Sequence, residues 1–148
     1  MNLELLNKTF FCNKKLNSTS SVACLFSITS FYNLNISVDQ IKEKLIIGNK
    51  GETSLMNIAD VAFLYGFITT GYSLERVEEI EQIYTPSIIP VYNDEGRRDF
   101  FIFYGKFNNK FLLGDPSWGI NLYTLNEFLS IWRDLTVLEF RYNSVING

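Results

Sequence analysis

The sequence predicts an α+β domain in which N-terminal helices pack on a C-terminal antiparallel sheet. Apolar residues recur with a helical period up to Ile80, whereas after Pro86 the period shortens towards two. Helices first and strands second is the order found in α+β domains. With 148 residues, 47% of them apolar, the chain can bury one core. We therefore expect a single domain over residues 1–148, with no internal boundary or repeat.

Four helices are predicted in the first half of the chain. In each, apolar residues recur three and four positions apart, so that one face can be buried. Ser37 and Gln40 have the spacing of a capping box, and Gly66 suits the left-handed residue after a helix end. The predicted helices run from Ser21 to about Tyr32, from Ser37 to Leu45, from Leu55 to Gly66, and from Ser73 to Ile80.

The second half reads as strands separated by turns. Clusters of Asn, Asp and Gly mark the turns, and the apolar run before Tyr104 is typical of a strand covered on both faces. A further capping box, Thr124 with Glu127, opens one helix that continues to Trp132. Strands are expected from Ser87 to Tyr92, from Asp99 to Tyr104, from Lys110 to Leu113, and from Leu135 to Tyr142.

Composition excludes several functional classes. The net charge is −3 and the only basic doublets are Lys14-Lys15 and Arg97-Arg98, so we expect no nucleic-acid partner. The first eleven residues lack the pattern of a signal peptide, and no apolar stretch is long enough to span a bilayer, which predicts a soluble, cytoplasmic chain. In that reducing compartment Cys12 and Cys24 are expected to be free thiols. We expect no cofactor and no metal.

The sequence contains no histidine. A cysteine or serine hydrolase of the usual kind needs a neighbouring base to take the proton of its nucleophile, and imidazole is the side chain best suited to that task. Ordinary triad chemistry is therefore excluded.

The ordered set of elements resembles a known peptidase family. The segments that carry the resemblance are Ala23-Cys24-Leu25, Ser54-Leu55-x-x-Ile58, Gly66-Phe67, the strand after Pro86, the strand from Asp99 to Tyr104, and Asp115-Pro116-x-x-Gly119. Over about residues 5–140 the chain resembles the bacteriocin-processing cysteine peptidase domain of ABC exporters, a papain-like fold that cuts leader peptides after a double glycine. The resemblance implies a papain-like domain at the N-terminus of a longer transporter.

Laid on the family pattern, the chain is degenerate at the catalytic positions. The resemblance puts Ser20 at the nucleophilic cysteine, Lys14 at the glutamine of the oxyanion hole, and Asp99 at the histidine. Asp115 falls on the third triad member and alone matches it in type. We expect these four positions, with Trp118 beside them, to mark a former active-site groove, and Ser20, Asp99, Asp115 and Trp118 to contact a bound polypeptide.

Each of these residues also has a purely structural interpretation. Ser20 can be the N-cap of its helix, which is the more common role of a serine at that place. A Ser20–Lys14 dyad would require a buried lysine, and Lys14 lies in a polar run. Asp115 can simply make the turn before Pro116. Trp118 can be a platform at the groove or part of the core.

The resemblance therefore implies a non-catalytic docking domain of a type I secretion or peptide-export ABC transporter. Such a domain would bind unfolded export substrate or leader peptide in the former groove. It would be tethered to the membrane by the transmembrane and nucleotide-binding domains of the same transporter. Two alternatives stay open, namely a free-standing adaptor or regulatory protein that reuses the fold, and an unconventional hydrolase.

Overall fold

The computed structural model describes residues 2–16 and 18–143, and within them helices cover both faces of a six-stranded antiparallel sheet. The helices are α1 (Leu3–Thr9), α2 (Asn13–Leu16), α3 (Ser20–Phe31), α4 (Val38–Lys44), α5 (Leu55–Leu64) and α6 (Leu125–Ile131), with a 3₁₀ helix at Val77–Gln82. The strands are β1 (Phe67–Ser73), β2 (Ser87–Tyr92), β3 (Arg98–Phe107), β4 (Lys110–Asp115), β5 (Gly119–Tyr123) and β6 (Thr136–Tyr142). Among these described residues no helix is both long and apolar enough to cross a membrane.

The sheet separates two hydrophobic clusters. The strand order is β1-β6-β2-β3-β4-β5, so β3 lies near the middle, and residues Phe100 to Tyr104 are all buried. Alternate side chains of a strand point to opposite faces. Phe100 and Ile102 therefore pack with the N-terminal helices, whereas Phe101 and Phe103 pack under α6 and the 3₁₀ helix. This two-sided cover confirms the α+β architecture and the buried strand expected at that place.

Helix α3 is the central helix of the N-terminal layer. Its residues from Val22 to Leu25 are fully buried, and it contacts α1, α2, α4, α5 and the middle strand β3. Nine of its residues between Ser20 and Thr29 are buried, on all sides of the helix, so the surrounding helices enclose it against the sheet. This packing fixes the start of α3 at the head of β3, where the site described below lies.

Most helices and strands lie where the capping and turn residues of the sequence predicted them. Both capping boxes are present, Ser37 with Gln40 at α4 and Thr124 with Glu127 at α6. Gly66 follows the end of α5 with a φ of 96°, in the left-handed region that favours glycine. The predicted strand from Ser87 to Tyr92 agrees with β2 at both ends.

The predicted fourth helix from Ser73 to Ile80 is wrong. Ser73 ends strand β1, which pairs with β6 along its whole length, and only a 3₁₀ helix follows at Val77–Gln82. The β-branched and aromatic composition of residues 67–73 fits a strand, and pairing with β6 overrides the local helix pattern after it. Strand β5 and the short helices α1 and α2 were not predicted either.

Candidate functional site

A cleft of about 850 Å³ opens where the start of α3 meets the head of β3. One wall is the loop between α4 and α5 together with the start of α5, and the other is the hairpin between β2 and β3. Thr19, Ser20, Asp99 and Phe100 lie between the two walls. The structure therefore brings together Ser20 and Asp99, the two positions that the resemblance assigned to the nucleophile and the base.

Helix α3 is hydrogen-bonded to the backbone of Phe100 at two successive turns. The Phe100 N–H donates to Ser20 Oγ at 3.2 Å, and the buried Cys24 thiol donates to the Phe100 carbonyl at 3.4 Å. Pro90, which lies opposite Phe100 on β2, has no N–H to offer, and pairing of β3 with β4 begins only at Ile102. Ser20 and Cys24 of α3 thus form hydrogen bonds with the N–H and the carbonyl of Phe100, which the sheet leaves without partners.

This geometry corrects the structural interpretation of Ser20. Thr19 is the N-cap residue of α3, and its side chain makes no capping hydrogen bond. Ser20 is the first helical residue, and its hydroxyl points to β3 instead of to the helix amides. The N-cap assignment for Ser20 is therefore wrong, although the residue still has a structural contact.

Both carboxylates of the predicted site, Asp99 and Asp115, accept backbone hydrogen bonds. Asp99 Oδ1 accepts a hydrogen bond from the Phe100 N–H at 3.0 Å, and the buried Asp115 accepts one from the Ser117 N–H at 2.8 Å. Burial raises the pKa of the Cys24 thiol well above its ordinary value, and the charges of Asp99 and Asp115 raise it further. Burial and charge thus both disfavour the Cys24 thiolate.

Asp115 itself is held in an unfavourable environment for a charge. Burial raises the pKa of its carboxyl, the hydrogen bond from Ser117 lowers it, and the negative charge of Asp99 raises it again. Asp115 also makes the turn that the sequence predicted for it, because Trp118 N–H donates to the Asp115 carbonyl at 3.0 Å. Asp115 does not line the cleft.

Lys14 and Trp118 lie outside the cleft. Lys14 is an exposed residue of the short helix α2, so the burial that a Ser20–Lys14 dyad would need is absent. The side chain of Trp118 is 82% exposed, which excludes a role in the core. Trp118 follows Asp115 in the turn between β4 and β5 and does not line the cleft.

A chain of hydroxyl groups links the start of α3 to the loop before α5. Thr19 Oγ1 lies 3.0 Å from Ser21 Oγ, which lies 3.0 Å from Thr53 Oγ1. Ser21 and Thr53 are buried. A buried hydroxyl network of this kind holds a surface in one arrangement because each unmade bond would cost free energy. The wall formed by the loop before α5 is thereby fixed to α3.

Several residues of the cleft walls were not predicted from the sequence. They are mostly exposed and come from two segments that are remote in sequence, namely Ile46, Lys50, Asn57, Asn93, Arg97 and Arg98. Two signals were available, because Gly48 and Gly51 mark the loop and the Arg97-Arg98 doublet directly precedes Asp99. Neither signal shows by itself that the two segments face each other.

The polar groups that line the cleft are hydroxyls, carboxylates, amides and the cationic side chains of the walls. No group of three metal-binding side chains occurs within residues 2–16 and 18–143. Cys12 and Cys24 are free thiols, as predicted. Burial, followed by the charge of Asp115, raises the pKa of Cys12, which makes its thiolate less available.

Comparison with solved structures identifies similar folds. A double-glycine motif protease from an AMS/PCAT transporter, solved in complex with the leader peptide, has a TM-score of 0.75 at 20% identity, covering 84% of this chain and 85% of that one. The peptidase domain of Streptococcus ComA, a bifunctional ABC transporter involved in a quorum-sensing pathway, has a TM-score of 0.76 at 20% identity, covering 86% and 93%.

A third similar structure is the N-terminal peptidase C39-like domain of the toxin secretion ATP-binding protein from Vibrio parahaemolyticus. Its TM-score is 0.68 at 13% identity, with 85% of this chain and 98% of that one covered. At these identities the likeness shows the papain-like fold. No curated protein sequence matches this chain significantly.

The sequence profile described as the Peptidase C39 family matches residues 11–143. This range includes the start of α3, the head of β3 and both walls of the cleft. On this match over most of its length, the chain belongs to the Peptidase C39 family.

Proposed function

We propose that this C39 domain is a non-catalytic docking domain of a type I secretion or peptide-export ABC transporter. It binds leader peptide or unfolded export substrate in the cleft between α3 and β3. The observation that carries the proposal is the 3.2 Å hydrogen bond from Phe100 N to Ser20 Oγ, in a sequence without histidine. This bond, with Asp99 next to Phe100 in the chain, supports the proposal because the family resemblance expects a cysteine at position 20 and a histidine at position 99.

A serine at position 20 and an aspartate at position 99 remove the catalytic groups that the resemblance implies, whereas the cleft remains. A serine hydroxyl needs a base, and Asp99 already accepts a hydrogen bond from the backbone. The remaining cleft, of about 850 Å³, is large enough for several residues of an extended chain. The similar solved structures support the context, because one was crystallised with a leader peptide and all three come from transporters or a secretion ATP-binding protein.

Binding is tested by titrating the isotopically labelled domain with a double-glycine leader peptide and following amide chemical shifts. We expect dissociation constants roughly in the micromolar range, because ordering a disordered partner costs several kcal/mol. The largest shifts should fall on Ser20, Asp99 and the cleft walls. Shifts confined to the α6 face, or no binding at all, would refute the docking role.

A matched pair of variants makes the binding test specific. Ile46 and Met56 are both 75% exposed, but only Ile46 lines the cleft. Ile46→Ser should weaken peptide binding by about fivefold, the value of one lost apolar contact of about 1 kcal/mol. Met56→Ser should leave the affinity unchanged. Equal effects of the two substitutions would show that the peptide does not use this cleft.

Absence of cleavage is tested on the same peptides by mass spectrometry. Loss of a nucleophile and base that act as a unit typically costs about a million-fold in turnover, so no product is expected. Cleavage that disappears in Ser20→Ala would instead establish the unconventional hydrolase.

A further inference from the structure

The cleft carries an excess of positive charge at its walls. Lys50 lies on the loop before α5, and Arg97 and Arg98 lie on the opposite hairpin. All three are exposed. The whole chain, by contrast, has a net charge of −3. The walls therefore differ in charge from the protein that carries them.

The two acids of the cleft are already engaged by the backbone. Glu52 Oε2 accepts a hydrogen bond from the Lys50 N–H at 3.0 Å, and its carboxylate lies against Gly48. Asp99 Oδ1 accepts from the Phe100 N–H at 3.0 Å. Both carboxylates are thus turned to main-chain groups of the protein.

The three cations are not paired in this way. Within the described residues, none of them has a carboxylate within 4.0 Å of its charged nitrogens. The guanidinium of Arg98 lies 5.9 Å from the centre of the Phe100 ring, which holds it at the cleft. Cations that face each other across a cleft without internal partners attract carboxylates from outside.

We propose that the cleft selects polypeptide segments that carry acidic side chains on both sides of a central apolar residue. Lys50 binds a carboxylate on one side, Arg97 and Arg98 bind carboxylates on the other, and Ile46 contacts the apolar residue between them. This inference rests on the docking role proposed above and specifies its ligand.

The test uses three fluorescein-labelled peptides with one glycine-serine background. Their central segments are Glu-Glu-Leu-Glu-Glu, Gln-Gln-Leu-Gln-Gln and Lys-Lys-Leu-Lys-Lys, and binding is measured by fluorescence anisotropy. We expect the glutamate peptide to bind at least about fivefold more tightly than the glutamine peptide, since each exposed ion pair contributes modestly and up to three can form. The lysine peptide should bind most weakly. Raising NaCl from about 0.1 M to about 1 M should remove most of the preference.

Charge-matched variants separate this cleft from the overall charge. Arg97→Gln with Arg98→Gln should abolish most of the preference for glutamate. The control pair, Lys8→Gln with Lys110→Gln, removes the same charge outside the cleft and should preserve it. Equal affinity for the glutamate and glutamine peptides would overturn the selectivity while leaving the docking role intact. Failure of every one of these peptides to bind, in a domain that binds the double-glycine leader, would likewise overturn the selectivity, whereas failure to bind the leader as well would overturn both proposals.

Discussion

The Cys24 thiol donates a hydrogen bond to the Phe100 carbonyl oxygen, with 3.4 Å between sulfur and oxygen. The contact lies one helical turn beyond the bond from Phe100 N to Ser20 Oγ. Cys24 is completely buried, and both burial and two nearby carboxylates hold the pKa of its thiol well above the ordinary value. Its reactivity as a thiolate is therefore suppressed although the Phe100 backbone to which it bonds lines the cleft.

We predict that iodoacetamide modifies Cys12 and spares Cys24 in the native domain. Alkylation requires a thiolate that the reagent can reach, and Cys24 becomes reachable only when the surrounding core opens. Peptide mapping by mass spectrometry should show Cys24 reacting at least about a hundredfold more slowly than Cys12. In concentrated urea both should react at similar rates. Equal native rates would contradict the buried position of Cys24.

The proximity of Ser20 and Asp99 can be tested by introducing the cysteine and the histidine that the resemblance expects at these positions. Ser20→Cys should give a thiol that titrates near its free value of about 8.5, or higher because of the Asp99 charge. Adding Asp99→His replaces that charge with an imidazole that can pair with the thiolate as a cation. The apparent thiol pKa should then fall by at least about one unit.

This pKa is measured from the pH dependence of alkylation in a background with Cys12 replaced by Ala. Cys24 stays in place because it does not react in the native state. Ser20→Cys with Asp94→His is the control, since Asp94 is an exposed acid of the same hairpin that does not line the cleft. If the double variant with Asp99→His gave the same profile as Ser20→Cys alone, positions 20 and 99 would not be partners.

Asp115→Asn should stabilise the domain at neutral pH. The pKa of Asp115 is raised in the folded state, so the folded state binds its proton more tightly than the unfolded state does. This group therefore costs stability as pH rises from the unfolded carboxyl pKa, about 3.9, through the folded value. Asparagine keeps an oxygen for the Ser117 N–H and removes the buried charge.

Thermal melts at several pH values check this prediction. The Tm of Asp115→Asn should exceed that of the parent at pH 7, and the difference should shrink towards pH 3. Asp94→Asn, at an exposed turn residue, should show no such trend. A lower Tm at neutral pH would mean that the charged form of Asp115 is favoured in the folded state.

Gly114→Ala should destabilise the domain through a clash between the sheet and α1. A methyl group at Gly114 would lie 2.5 Å from Phe10 Cε1 and 3.0 Å from Tyr104 Cε2. Overpacking of this kind typically costs about 1–3 kcal/mol. Gly71→Ala meets nothing within 4 Å and should be neutral or slightly stabilising. Urea denaturation gives the free energies, and Phe10→Leu combined with Gly114→Ala should recover part of the loss.

The sequence was most informative where structure depends on neighbouring residues. The capping boxes at Ser37 and Thr124 need only a partner three positions away, and both were predicted correctly. Strand β1 was missed because its conformation depends on pairing with β6 near the other end of the chain. The cleft was not predicted for the same reason, because its lining combines segments remote in sequence, such as Lys50 on the loop before α5 and Arg97 on the hairpin between β2 and β3.

The two tryptophans occupy opposite environments, which provides the domain with two built-in optical probes. Trp132 is fully buried under the sheet, stacked on Phe128, and its indole N–H donates to the Thr136 carbonyl at 2.8 Å. Trp118 is largely in water, beside the Asp115 turn. A blue-shifted emission component thus reports on the α6 side of the core, whereas a red, readily quenched component reports on the surface next to Asp115. Unfolding and ligand contact at that turn can therefore be followed separately without attaching a dye.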